Sequence, residues 1–269
     1  MRRLYGIIRI EGVGLHSGKN CVLTIESCDS PEVIMNGVPL RTLRTNGTNR
    51  GSDYIFPDGS EIRTCEHVLS ALYGTGIYSG IRVNVEGGEM PALDGCSRVI
   101  CEEILSKSYD DGHEFQGLEI REPLIVSNDE RTRFIAVFPC DSLHITYTVE
   151  YERIGTQVLD YSHTTENYVN EISGARTFAL ERDIEYLRSH GMTLGGSLDN
   201  AIVIGEAIHA KGGLRWPDEF VRHKILDLIG DISSLGRPLN AHIIAVRAGH
   251  ELHLKLTERL KGDTEIAGD

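Results

Sequence analysis

Several features of membrane, secreted and nucleic-acid-binding chains are missing from this sequence. No apolar run approaches the roughly 18 residues that would suggest a transmembrane helix. The opening MRRLYGIIRIEG lacks the long apolar core of a signal peptide. None of the six cysteines, Cys21, Cys28, Cys65, Cys96, Cys101 and Cys140, forms a CxxC pair, which argues against a cysteine zinc site or a thioredoxin-type motif. Positive charge is scarce, with 27 Lys and Arg against 40 Asp and Glu and a net charge of −13. Without a broad basic surface there are no counterions to release, so nucleic acid is not expected as a partner. An anionic small molecule needs only a local basic pocket and stays allowed. No low-complexity tract occurs. The expectation is a cytoplasmic monomer with free thiols, acting on a small molecule and not inserted in a membrane.

What is present is enough apolar material, 40% of 269 residues, for one large core or two modest ones. Two segments stand out, TCEHVLSALYG at 64–74 and FVRHKILDLIGD at 220–231. Counted from His67 and His223, an aliphatic follows at the second position (Leu69, Ile225), leucine at the fifth (Leu72, Leu228) and glycine at the seventh (Gly74, Gly230). One helix used twice implies two related halves, each bringing a histidine to a shared cleft. Residues 1–110 read as strands, a helix, a strand and a helix, with a small irregular β insertion near 36–63. The polar YDDGHEF at 109–115 marks the boundary. Residues 115–269 repeat the plan, with a strand–helix–strand insertion near 178–204. Thr64 is placed to cap the first histidine helix, LEIREPLIV reads as one strand, and Gly191 suits a helix C-terminus. The long helix is expected from about 217 to 236, and the last from about 251 to 260.

Two histidines and a carboxylate are the set that holds a catalytic zinc with one position left open. His223 and Asp227 lie four apart, on one helix face, and Asp231 continues the row. The competing reading makes 223, 227 and 231 a solvated face opposite the stripe Val221, Ile225, Leu228, Ile232 and Leu235. Glu66 and His67 are neighbours whose side chains diverge by about 100° on a helix, so one ligand and one base is easier than two ligands. His250 follows Gly249 at the start of the last helix. It reads equally as a surface histidine or as an imidazolium that stabilises an oxyanion or protonates a leaving amine. Asp231 nearby would keep it charged. His16 sits in a Gly-rich turn able to approach a ligand closely. Leu180, Ile184 and Leu187 recur at helical spacing and expose an apolar face that a lipid chain could cover.

GVGLHSGKN, TCEHVLSALYGTGI, MPALDG, GARTFAL, RDIEYL, LGGSLDNAIV, FVRHKILDLIGD and AGHELHLKL, taken together and in order, resemble the UDP-3-O-acyl-N-acetylglucosamine deacetylases of lipid A biosynthesis over nearly the whole chain. The resemblance implies an α+β fold of two similar domains, each a sheet with two helices and an insert, with the active site between them. It implies zinc (Zn2+) held by His67, His223 and Asp227, with Glu66 as general base, His250 as electrostatic catalyst and Asp231 orienting it. It further implies Thr177 near the oxyanion, Lys224 against substrate and Arg247 toward the nucleotide diphosphate, with Phe178 and the 178–204 insert walling an acyl passage. A diverged nucleotide-sugar deacetylase and a non-catalytic binder on the same scaffold are the competing readings.

Overall fold

Both halves of the chain build a five-stranded core sheet on one plan. The structure, a computed structural model, describes residues 1–48 and 50–266; Asn49 of the first expected insertion and residues 267–269 of the second half lie outside them. In the first sheet the order is Ile8–Val13, Asn20–Ser27, Ile81–Glu86, Val33–Met35, Val38–Pro39. In the second it is Leu124–Ser127, Phe134–Pro139, Leu239–Val246, His144–Tyr151, Gly155–Ser162. In each, the strand last in sequence lies in the middle, antiparallel to the second strand and parallel to the third. The two halves are therefore similar in topology as well as in the paired histidine segments. Leu118–Glu119 adds a short parallel pairing to Leu239–Val246.

Each sheet buries one face. Burial alternates along Asn20–Ser27 and along Leu239–Val246, the period-two pattern of a strand with one wet side. The buried faces meet helices α1 (Glu66–Gly74) and α2 (Arg98–Ser106) from the first half. From the second half come α5 (Glu219–Ile232) and α6 (His250–Ile266), and this half also holds a short α3 (Thr165–Asn167) and α4 (Glu181–Ser189), the latter packed on the strand Phe178–Leu180. One continuous core joins Leu23 and Val83 of the first sheet, Leu69 of α1, Ile225 of α5 and Ile145 and Ile243 of the second sheet. Among the described residues no helix is long and apolar enough to cross a membrane.

The two insertions take definite forms. Arg44–Thr48, Gly51–Ile55 and Glu61–Ile62 make a three-stranded antiparallel meander, more regular than the sequence suggests. Phe178–Leu180 runs parallel to Ile202–Ile204 across α4, over a satellite core of Ile202, Ile204 and Phe220. Gly191 takes φ 72° and ends α4 as expected.

Some boundaries differ from expectation. Thr64 does not cap α1: its φ is 57°, and its hydroxyl donates to Glu89 Oε1 at 3.1 Å. The stretch 118–126 breaks into two strands at Pro123, which has no N–H for a ladder. The last helix begins at His250 and extends past residue 260.

The shared glycines have a steric cause. A Cβ on Gly230 would sit 2.1 Å from the carbonyl oxygen of Glu66, and one on Gly74 would sit 2.2 Å from the Tyr168 ring. Gly230 thus sets how closely α5 approaches α1. Gly230→Ala is expected to destabilise the fold by about 1–3 kcal/mol through overpacking, read as a lowered urea midpoint. An unchanged midpoint would contradict the close approach.

Candidate active site

α1 and α5 pack against each other with their histidines facing. The rings of His67 and His223 stand edge to face, centroids 5.0 Å apart. His223 Nε2 lies 3.3 Å and His67 Nε2 3.7 Å from Asp227 Oδ1. One donor atom from each of the three residues falls within 4.8 Å of the others. The solvated-face reading fails, because His223, Asp227 and Asp231 are at most 2% exposed. α5 is enclosed, with twelve of its fourteen residues buried.

The partners of these groups define what they can do. His223 Nδ1 donates to the Ala175 carbonyl at 3.0 Å, so its Nε2 lone pair faces Asp227. Fixing a ligand imidazole through its other nitrogen is the usual support for a metal-binding histidine. Burial pushes the His223 pKa down to about 3, so this ring is neutral. Asp227 Oδ2 accepts from Lys224 Nζ at 2.5 Å, while Asp227 Oδ1 is buried with no hydrogen-bond partner among the described residues. Burial alone would raise the Asp227 pKa, but its cationic neighbours, Lys224 and His250 among them, outweigh it and hold the carboxyl well below its ordinary range. A buried carboxylate oxygen without a donor costs several kcal/mol unless a cation meets it.

Glu66 lies outside this donor set and is held separately. Its Oε2 accepts the Ser52 N–H at 2.9 Å. Burial lifts its pKa above the ordinary glutamate range, with the charges of His250 and His67 partly offsetting that rise.

His250 Nδ1 donates to Asp231 Oδ2 at 2.8 Å, and its Nε2 lies 3.6 Å from Asp227 Oδ2. Burial opposes its charge, yet Asp231 and Asp227 prevail and raise its pKa to about 9. Of the two readings of His250, the structure therefore removes the surface one, since the residue is 5% exposed.

Three groups around Asp231 escape sequence reasoning. His253 Nδ1 donates to the same Asp231 oxygen at 2.7 Å and receives the Tyr147 hydroxyl on Nε2 at 2.9 Å. The Ser52 hydroxyl donates to Asp231 Oδ1 and lies 3.2 Å from His250 Nδ1. His253 was findable, being three residues after His250 on the same helix. Ser52 and Tyr147 carried no local signal, because strand register brings them in.

Of the remaining expected residues, Phe178 stands beside the centre, its ring 6.0 Å from that of His223. Lys224 Nζ stands over the Phe178 ring at 5.6 Å. Phe178, Thr177, His16 and Leu187 line one cavity of about 250 Å3, together with Ile184 and Leu198. His16 Nδ1 accepts the Thr193 N–H at 3.3 Å, which ties the first-half turn to the second insert. Leu180 turns instead to the satellite core, so the α4 face divides between packing and cavity wall. Arg247 is half exposed, with φ 51° and an ion pair to Glu150 at 3.4 Å.

Comparison with known proteins gives one consistent result. Residues 2–262 match the family model described as UDP-3-O-acyl N-acetylglycosamine deacetylase. A protein of Campylobacter hominis named UDP-3-O-acyl-N-acetylglucosamine deacetylase is 38% identical, over 94% of this chain and 89% of its own length. Proteins of the same name from Chlamydia abortus and Myxococcus xanthus are each 36% identical, over 96% and 97% of this chain and 96% and 86% of their own lengths.

Because the folded pKa of His250 is raised, its contribution to stability is full below about pH 6.5, the unfolded value. That contribution is lost as pH rises through about 9. Asp231→Asn should bring the imidazole titration, followed by NMR, down toward its ordinary range, and should flatten the loss of stability between those pH values. An unmoved titration would show that Asp231 does not hold the charge.

Proposed function

The chain belongs to the UDP-3-O-acyl-N-acetylglucosamine deacetylase family, and from that premise we propose that it is the zinc-dependent enzyme that hydrolyses the acetamide of UDP-3-O-acyl-N-acetylglucosamine in lipid A synthesis. The products are acetate and the free 2-amino sugar nucleotide. The observation that carries the metal assignment is the unpartnered Asp227 Oδ1, flanked by the Nε2 atoms of His67 and His223. Two imidazoles and a carboxylate fit zinc with a position open for water or substrate. Zinc at such a site lowers the pKa of a water and polarises a carbonyl.

The protein's own residues supply the rest. Glu66, outside the donor set and bound through Ser52, takes a proton from the attacking water. Its raised pKa suits a base that must later release that proton. His250, held protonated by Asp231, places positive charge beside Asp227 for the oxyanion that develops on the amide. Thr177 lines the same cavity as Phe178, and in this reading its hydroxyl supports the same charge. Lys224 neutralises Asp227 and faces substrate over Phe178, and Arg247 lies toward the diphosphate. The cavity of Phe178, Ile184 and Leu187 takes the acyl chain, with His16 closing it from the first half. In this reading the enzyme works as a cytoplasmic monomer. A pure binding protein would have no use for a buried base and a buried imidazolium, whose desolvation costs stability.

Strong chelation should abolish acetate release, and zinc should restore it. His67→Ala and Asp227→Ala should lose metal affinity. Glu66→Gln should keep the metal and lose about 100- to 10,000-fold in rate. Full activity in metal-free protein would sink the assignment. The rate should rise through an acid limb above the ordinary glutamate range, as Glu66 ionises, and fall as pH passes about 9, where His250 deprotonates. His250→Gln should remove that alkaline limb.

Each methylene buried by the acyl cavity contributes about 0.8 kcal/mol. Shortening the 3-O-acyl chain should therefore lower kcat/KM stepwise, and Leu187→Gln should flatten the dependence. Equal efficiency on acylated and unacylated substrates would favour the diverged nucleotide-sugar deacetylase.

A further inference from the structure

The wet face of the second sheet carries a second convergence of donors, away from the candidate active site. His144 stands opposite His242 in the parallel pairing of His144–Tyr151 with Leu239–Val246. Their rings are 4.6 Å apart, edge to face. On the other side of the same strand, Thr146 is opposite Asp160 and His144 opposite Ser162. Asp160 Oδ1 meets His144 Nε2 at 2.7 Å and the Thr146 hydroxyl at 2.7 Å. That hydroxyl also lies 2.9 Å from His242 Nε2, and His144 Nδ1 lies 3.0 Å from Ser162 Oγ. One donor atom each from His144, Asp160 and His242 falls within 4.8 Å of the others. The intervening Ile145, Tyr147 and Ile243 point to the buried side, which separates this cluster from His250 and His253 by the thickness of the sheet.

We infer that His144, Asp160 and His242 form a second metal site that takes a divalent transition ion of the zinc, copper or nickel class. Two imidazoles and one carboxylate are the donors such ions prefer. The three come from three hydrogen-bonded strands, so the sheet fixes their spacing without ordering a loop. With both rings neutral the site carries one negative charge, on a chain of net charge −13. Burial and the neighbouring His144 lower the His242 pKa, which keeps that ring available as a ligand near neutral pH. Thr146, already bonded to Asp160, remains as the outer support of that carboxylate once an ion is bound. Asp160 is exposed, with 66% of its side chain accessible, so the ion exchanges with solvent and keeps open positions for water. Occupancy ties together Gly155–Ser162, His144–Tyr151 and Leu239–Val246. The last of these leads into His250, and the middle one carries Tyr147 behind His253. The ion would stiffen the frame of the active site without touching reacting atoms.

Zinc chloride titrated by calorimetry into protein already holding one equivalent tests this. Wild-type protein should bind one equivalent more than His242→Gln or Asp160→Asn, more weakly than the first. Its melting temperature should rise with the logarithm of free zinc once the site begins to fill. Both variants should lose that equivalent and that rise while retaining wild-type acetate release. Equal zinc stoichiometry in wild type and both variants would overturn the site and leave a hydrogen-bonded polar ladder. Because the readout is a difference in stoichiometry on the outer face, failure of the deacetylase reading would leave this result unchanged, and the reverse holds as well.

Discussion

Two carboxylates, one turn apart on a helix with almost no solvent contact, set the terms for the rest of this molecule. Asp227 and Asp231 are each 1% exposed. Burying an ionised carboxylate costs several kcal/mol unless partners restore what water provided. Asp231 is fully served by His250, His253 and Ser52. Asp227 is served by Lys224 on one oxygen, while the other is left to face two imidazoles. That asymmetry suits one acid to orienting a histidine and leaves the other free to act as a ligand. Both depend on how closely α1 approaches α5, which Gly230 permits.

The internal repeat explains why the site lies where it does. Each half builds the same strand order and places its histidine helix immediately before the central strand. Bringing the equivalent faces together juxtaposes His67 and His223. The halves then diverge in what they add. α1 has Glu66 one residue before its histidine, where α5 has Arg222, and α5 has Asp227 four residues after its own, where α1 has Ala71. In the proposed mechanism one half supplies the base and the other the acids, so neither contains the chemistry alone. The halves also meet across one cavity, where His16 of the first faces the 178–204 segment of the second.

How much of this was legible in the sequence follows from the range of each signal. The convergence of His67, His223 and Asp227 was readable because helical spacing and a repeated motif are local patterns. The α+β plan was readable because strands and helices differ in period. Residues recruited by register were not: Ser52 reaches Asp231 through a hairpin, Tyr147 meets His253 through a sheet, and the Ala175 carbonyl fixes His223 from a loop. Thr64 had the chemistry of a cap, but Glu89 competes for its hydroxyl and the backbone takes φ 57°. His144 and His242 lie 98 positions apart and become neighbours through parallel pairing.

In the proposed arrangement the two halves share one metal between α1 and α5. Anomalous diffraction at the zinc edge, on crystals of the protein purified with its metal, tests it most directly. A peak bounded by His67 Nε2, His223 Nε2 and Asp227 Oδ1 is the expected result. Density showing those three side chains with water between them, and no anomalous signal there after zinc is supplied, would contradict it.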